Sequence, residues 1–150
     1  MDKHHYEYER PIATRYVFIS RGKRKVTKIV VFTPLETKNM FNLGFGDLLP
    51  GGKIDDKANS NNGDMWKVLT TVVHIVMDFT GDNPQVKIAF AGSTKKRTAL
   101  YQRILKTYYN IFRKQFVITV LQGPVDSPTE QLFDPANKTT CLAFFVKRKY

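Results

Sequence analysis

Apolar and polar positions along this chain change period from two to about 3.6 and back. Residues 16–20 (YVFIS) and 26–33 (VTKIVVFT) alternate as strands, and RGKR between them reads as a hairpin turn with Gly22 at positive φ. Residues 40–45 (MFNLGF) give a third strand after Pro34, and residues 53–58 (KIDDKA) a short fourth. A helix is predicted over 64–79. It is capped by Asn62 or Ser60 and closed by Gly81, and Pro84 blocks its continuation. Its polar residues Lys67, Thr71, His74 and Asp78 fall on one stripe, and the rest is almost wholly apolar, as in a helix packed centrally against a sheet.

Residues 86–91 (VKIAFA) then read as an interior strand, which favours a parallel crossover from the strand before the helix. A second helix is expected over 94–109, with Ser93 or Thr94 as N-cap and Leu100, Ile104, Leu105 and Tyr108 on its buried side. Residues 116–121 (FVITVL) form a strand, 122–138 a proline-containing loop, and 140–146 (TCLAFFV) a final strand paired with 116–121. The expected architecture is mixed α/β (α+β): a central mixed sheet of about six to seven strands flanked by two main helices. It occupies residues 16–150 as one domain, behind a polar, tyrosine-rich leader over 1–15 that is either flexible or an edge segment.

Composition narrows the partners more than the fold. With 42% hydrophobic and 25% charged residues the chain is an ordinary globular one. No apolar run approaches the length of a membrane span, so membrane insertion is not expected and the cytoplasm is the default location. The single cysteine, Cys141, rules out an intramolecular disulfide and reads as a buried thiol in an apolar run. The formal net charge of +11 favours a polyanion: RNA, DNA or a phosphorylated small molecule. Residues 83–125 hold eight Lys or Arg and no acid, which marks the second helix as the anion-facing side. A merely solvated helix face is the competing reading.

The oxygen-rich run Asp55, Asp56, Asn59, Asn61, Asn62, Asp64 resembles a calcium loop in composition but fails the EF-hand spacing. Ala58 falls at the first ligand position and Leu69 at the last. Turn and cap chemistry account for it, and no metal site is assigned. Whether Asp64 is a helix cap or an acid of a site is left open.

The order of elements over residues 40–122 resembles that of the GNAT family of N-acetyltransferases. Leu100-Tyr101 in TALYQR resembles that family's Leu-Tyr segment, and residues 60–67 stand where its phosphate loop lies. The resemblance implies acyl-CoA as cofactor, held around Asn61, Asn62 and Gly63 with Lys67 and Arg97, and Tyr101 as general acid, with Asp47 and His74 as base candidates. The segments VFISRGKRKVTKIVVFTP, MFNLGFGD, IDDKANSNNGDMWKVLTTV and AGSTKKRTALYQ also resemble a family of small uncharacterised bacterial proteins, a domain of unknown function. Asn42, Asp47, Asn61, Asn62, Gly63, Asp64, Ser93, Thr94, Arg97 and Tyr101 gather at strand ends and helix starts, where ligands sit in open α/β sheets.

Three functions follow. One is an acetyltransferase-like protein with an anion site at both helix N-termini, its catalysis left open. The second is a non-enzymatic nucleic-acid-binding module that uses the basic segment and its aromatic residues. The third is the interaction component of a toxin–antitoxin or phage-defence pair, with a protein partner.

Overall fold

Residues that alternate in the sequence alternate in burial in the structure, a computed structural model that describes residues 5–55 and 62–149. The chain forms two compact units, Met1–Thr33 with Leu43–Asn83, and Pro34–Asn42 with Pro84–Tyr150.

In the first unit, β1 (Tyr8–Ile12) pairs antiparallel with β2 (Arg15–Arg21), and β2 with β3 (Lys25–Pro34) in a register from Arg15↔Val31 to Arg21↔Lys25. Residues 8–12 of the expected leader are thus an edge strand. On β2 every second side chain, Tyr16, Phe18 and Ser20, is buried. β4 (Met40–Leu48) follows, and β5 (Ile54–Asp55) pairs with its end. Helix α1 (Met65–Asp82) packs Phe79 flat on Phe32, with ring centroids 3.9 Å apart, and Tyr16 meets Phe32 edge-on. A fully buried aromatic or aliphatic side chain of this kind contributes about 1.5–3 kcal/mol.

Two expectations for this unit are corrected. Gly81 lies inside the last turn of α1, and the helix closes at Asn83, whose backbone N–H and side-chain amide both donate to Phe79 O. Gly22 does not take positive φ. It is required for space: a Cβ there would stand 1.7 Å from the carbonyl oxygen of Asn62. The buried threonines of α1 satisfy their hydroxyls within the helix, Thr70 donating to Trp66 O, Thr71 to Lys67 O and Thr80 to Val76 O.

In the second unit, residues Met40, Phe41 and Asn42 of β4 pair in parallel with β6 (Lys87–Phe90), the crossover the sequence favours. Helix α2 (Lys95–Thr107) is followed by a single turn, α3 (Tyr109–Phe112), and by β7 (Phe116–Gln122). β9 (Ala143–Arg148) lies between β6 and β7, antiparallel to both. The expected loop over 122–138 contains an exposed edge strand, β8 (Thr129–Leu132), paired with β7. One face of this sheet is apolar: Ile88, Phe144, Val146, Ile118 and Val120 are buried, and Phe90 turns toward Tyr101 of α2 at 6.3 Å. Gln102 of α2 grips the approach to β9, donating to Thr139 O and accepting from the Cys141 N–H.

Among the described residues there are nine strands and three helices, two of them substantial. The strands form a mixed sheet in the order β1-β2-β3-β4-β6-β9-β7-β8, with β5 on β4. The sequence understates the strand number because β1 and β8 are short and polar and lack a buried alternation, whereas β5 falls within the short fourth strand expected over 53–58.

Candidate functional site

The start of α1 is used for packing. Asn61 lies outside the described residues. Asn62 is buried, and its side chain closes the β2–β3 turn: Oδ1 accepts from Arg24 N at 2.8 Å, and Nδ2 donates to Arg24 O and Ser20 Oγ at 2.7 and 2.9 Å. Its carbonyl accepts from Lys23 N, the approach that excludes a side chain at Gly22. Asn62 therefore does not cap α1. Gly63 takes φ of +81°, a conformation that glycine adopts without strain.

Asp64 has partners of its own. It occupies the N-cap position without a side-chain capping bond. Its carboxylate instead accepts from Tyr6 Oη and from Ser20 Oγ, each at 2.5 Å. Tyr6 Oη accepts in turn from Arg21 N. Burial and then the Asp64 carboxylate push the Tyr6 phenol above its ordinary pKa.

Residues 5–10 cover the polar stripe of α1. Lys67 places its ammonium 4.4 Å from the Tyr6 ring centroid, and Thr71 Oγ1 accepts from Tyr6 N at 2.8 Å. His74 stacks on His5 at 3.9 Å, Tyr8 Oη donates to Asp78, and Arg10 pairs with Asp82. The polar stripe of the helix is thus a seat for residues 5–10. Asp47, on β4, forms an ion pair with the buried Lys28. Asp47 and His74 belong to the first unit and Tyr101 to the second.

The start of α2 has a different character. Thr94 caps it, its hydroxyl accepting from Arg97 N at 3.2 Å. Helix geometry leaves the other first amides without intrahelical partners. Ser93, Lys95 and Lys96 are exposed, Arg97 is half-buried, and no acid lies in the first turn. Gly92 admits no side chain, since a Cβ there would lie 2.4 Å from Thr98 N and 2.5 Å from Arg97 Cβ. Tyr101 follows Arg97 by four residues, on the same side of the helix.

Charge divides unevenly. The second unit carries thirteen Lys and Arg against four Asp and Glu, a net +9, and the first eleven against nine, a net +2. The second face of the sheet in that unit, opposite its buried one, holds residues that sequence reasoning did not single out: Lys87, Val117, Thr119, Glu130, Phe145 and Lys147 line a depression of about 520 Å³. Lys87 lies over the Phe145 ring at 4.6 Å and donates to both oxygens of Glu130, at 2.9 and 2.7 Å. Glu130 also accepts from Thr119 Oγ1, and the Lys87 bond foremost holds its carboxyl below the usual range. The available signal was the alternation in VKIAF and AFFVKR, which turns Lys87, Phe145 and Lys147 to one side.

Fold and surface thus define a basic, mixed α+β protein with an acid-free helix start and a cationic sheet face. No helix among the described residues is long and apolar enough to cross a membrane, and no cluster of three metal-ligating side chains occurs among them. The chain belongs to a family of unknown function, DUF6934, whose profile matches residues 2–149. No curated protein and no solved structure matches it.

Proposed function

We propose that the protein binds a phosphate-bearing ligand of the acyl-CoA or nucleotide class at the start of α2. The observation that carries this reading is the first turn of that helix: outward amides, Lys95, Lys96 and Arg97 beside them, and no carboxylate. The start of α1 is the poorer anion site, because Asp64 places a carboxylate at its N-cap and Asn62 is committed to the hairpin turn. The parallel β4–β6 pair, followed by α2 and by β9 set between β6 and β7, supports the acetyltransferase-like reading. Under it Tyr101, one turn beyond Arg97, is the general-acid candidate.

The test is a thermal-shift titration with CoA, acetyl-CoA and ATP. A ligand at about a hundred times its Kd adds about 2.7 kcal/mol, a rise on the order of 5–10 °C for a chain of this length. Lys96→Glu with Arg97→Ala should abolish the rise and leave the unliganded Tm within a few degrees. No rise with any of the three, or the same rise in the variant, removes the α2 site.

A further inference from the structure

We infer that the open face of the β6-β9-β7 sheet binds single-stranded nucleic acid, a ligand and a surface separate from the α2 site. The face alternates with the buried one, so α2 does not cover it: Ile88, Phe144 and Val146 point to the core, and Lys87, Phe145 and Lys147 point away. Lys87 and Lys147 are direct neighbours across β6 and β9, and Val117 is the neighbour of Lys147 on β7. Val117 is 39% exposed and Lys147 is exposed. Phe145 is half-buried two positions along from Lys147; Arg148 lies over the Phe116 ring, 5.4 Å from its centroid, and Lys149 is exposed. Two lysines of this face, Lys87 and Lys147, thus flank one aromatic ring, with Glu130 the one acid lining the depression among the described residues.

A strand-borne aromatic ring among cations is what a single strand requires. Its bases are unstacked and offer a face to the ring, and its phosphates meet the lysines. A duplex keeps its base faces stacked and offers Phe145 nothing. Charge argues the same way, since this unit carries +9 of the chain's +11.

Glu130 gives the proposal its distinguishing feature. Its carboxylate occupies the Lys87 ammonium, the partner that an incoming phosphate would take. The carboxylate therefore competes with the ligand for Lys87, and removing its charge should tighten binding. A face that bound anions through diffuse charge alone would gain no more from Glu130→Gln than from neutralising any other acid of the unit, such as Asp126.

The experiment is fluorescence anisotropy of the full chain with a labelled oligouridine of about twelve nucleotides, at about 50 and about 200 mM salt. The expected result is binding that weakens with salt. Lys147→Glu should lower the salt slope by about one. Phe145→Ala should lose about fivefold or more, with Phe145→Leu, which keeps the apolar contact and the fold, losing part of it. Glu130→Gln should tighten binding by a few-fold and Asp126→Asn by less. Lys138→Glu, an exposed control in the same unit, should weaken it less than Lys147→Glu. The inference is overturned by no binding at low salt, or by duplex competing as well as single strand. Phe145 variants that bind like the parent, or Lys138→Glu weakening binding as much as Lys147→Glu, would equally overturn it. None of these outcomes bears on CoA binding at α2, so the two proposals fail separately.

Discussion

Tyr6 and Tyr16 are both buried, and the same substitution should have opposite consequences at the two positions. Tyr6 Oη donates to the Asp64 carboxylate at 2.5 Å and accepts from Arg21 N at 3.0 Å. Tyr6→Phe removes a charge-assisted bond, about 1.5–3 kcal/mol, and leaves the Arg21 N–H without its side-chain acceptor. Because Ser20 still donates to Asp64, the loss should stay near the middle of that range, about 2 kcal/mol. Tyr16 is 1% exposed, and its hydroxyl has no hydrogen-bond partner among the described residues. Tyr16→Phe removes a desolvated hydroxyl that gains nothing in return. It should be neutral or stabilise by up to about 1 kcal/mol. Urea unfolding of the two variants and the parent reads both values, provided the denaturant slope is unchanged. A Tyr16→Phe that costs more than about 1 kcal/mol, or a Tyr6→Phe that costs nothing, would show that the hydrogen-bond assignments at these phenols are wrong.

Other expectations follow from close contacts and shifted groups. Gly22→Ala drives a Cβ into the Asn62 carbonyl, which can yield only by breaking the bonds that hold the turn, so a loss of about 3 kcal/mol or more is expected in the same unfolding assay. Alkaline pH should destabilise the fold. Burial pushes Tyr16 up to about 12 and Cys141 up to about 11, and raises Tyr6 and Tyr8, the latter helped by Asp78. The unfolded chain then binds fewer protons than the native one from about pH 9 upward, so stability is full below that point and falls as pH rises through the folded values. A Tm that stays level between about pH 9 and pH 11 would contradict this.

Much of the frame was legible because burial imposes periodicity. The β2–β3 hairpin, α1, the parallel β4–β6 crossover and the Thr94 cap each follow from an apolar period or a local side-chain rule. The role of the polar stripe on α1 was not legible. Its partners Tyr6, Tyr8 and Arg10 lie 65, 70 and 72 residues away from Thr71, Asp78 and Asp82, and polar pairing leaves no period in either segment. Asn62 misled for a related reason. Asparagine before a helix is a sound cap by local rules, but two groups of the hairpin turn outcompeted the helix for its side chain. The Lys87–Phe145–Lys147 face was visible as alternation in each strand. It becomes a surface only once β9 is known to lie between β6 and β7.

The seating of residues 5–10 on α1 also sets an order of events in synthesis. That segment leaves the ribosome about seventy residues before the helix that receives it. Until residue 82 has emerged, β1 can pair with β2, but Tyr8 and Arg10 lack the full set of acidic partners on α1, Asp78 and Asp82. The contacts nearest the start of the sequence are therefore among the last of the first unit to close. Loop closure grows only logarithmically with length, so the delay costs little free energy; its effect is on timing. An added domain or tag ahead of residue 5 would meet the chain at this late docking step.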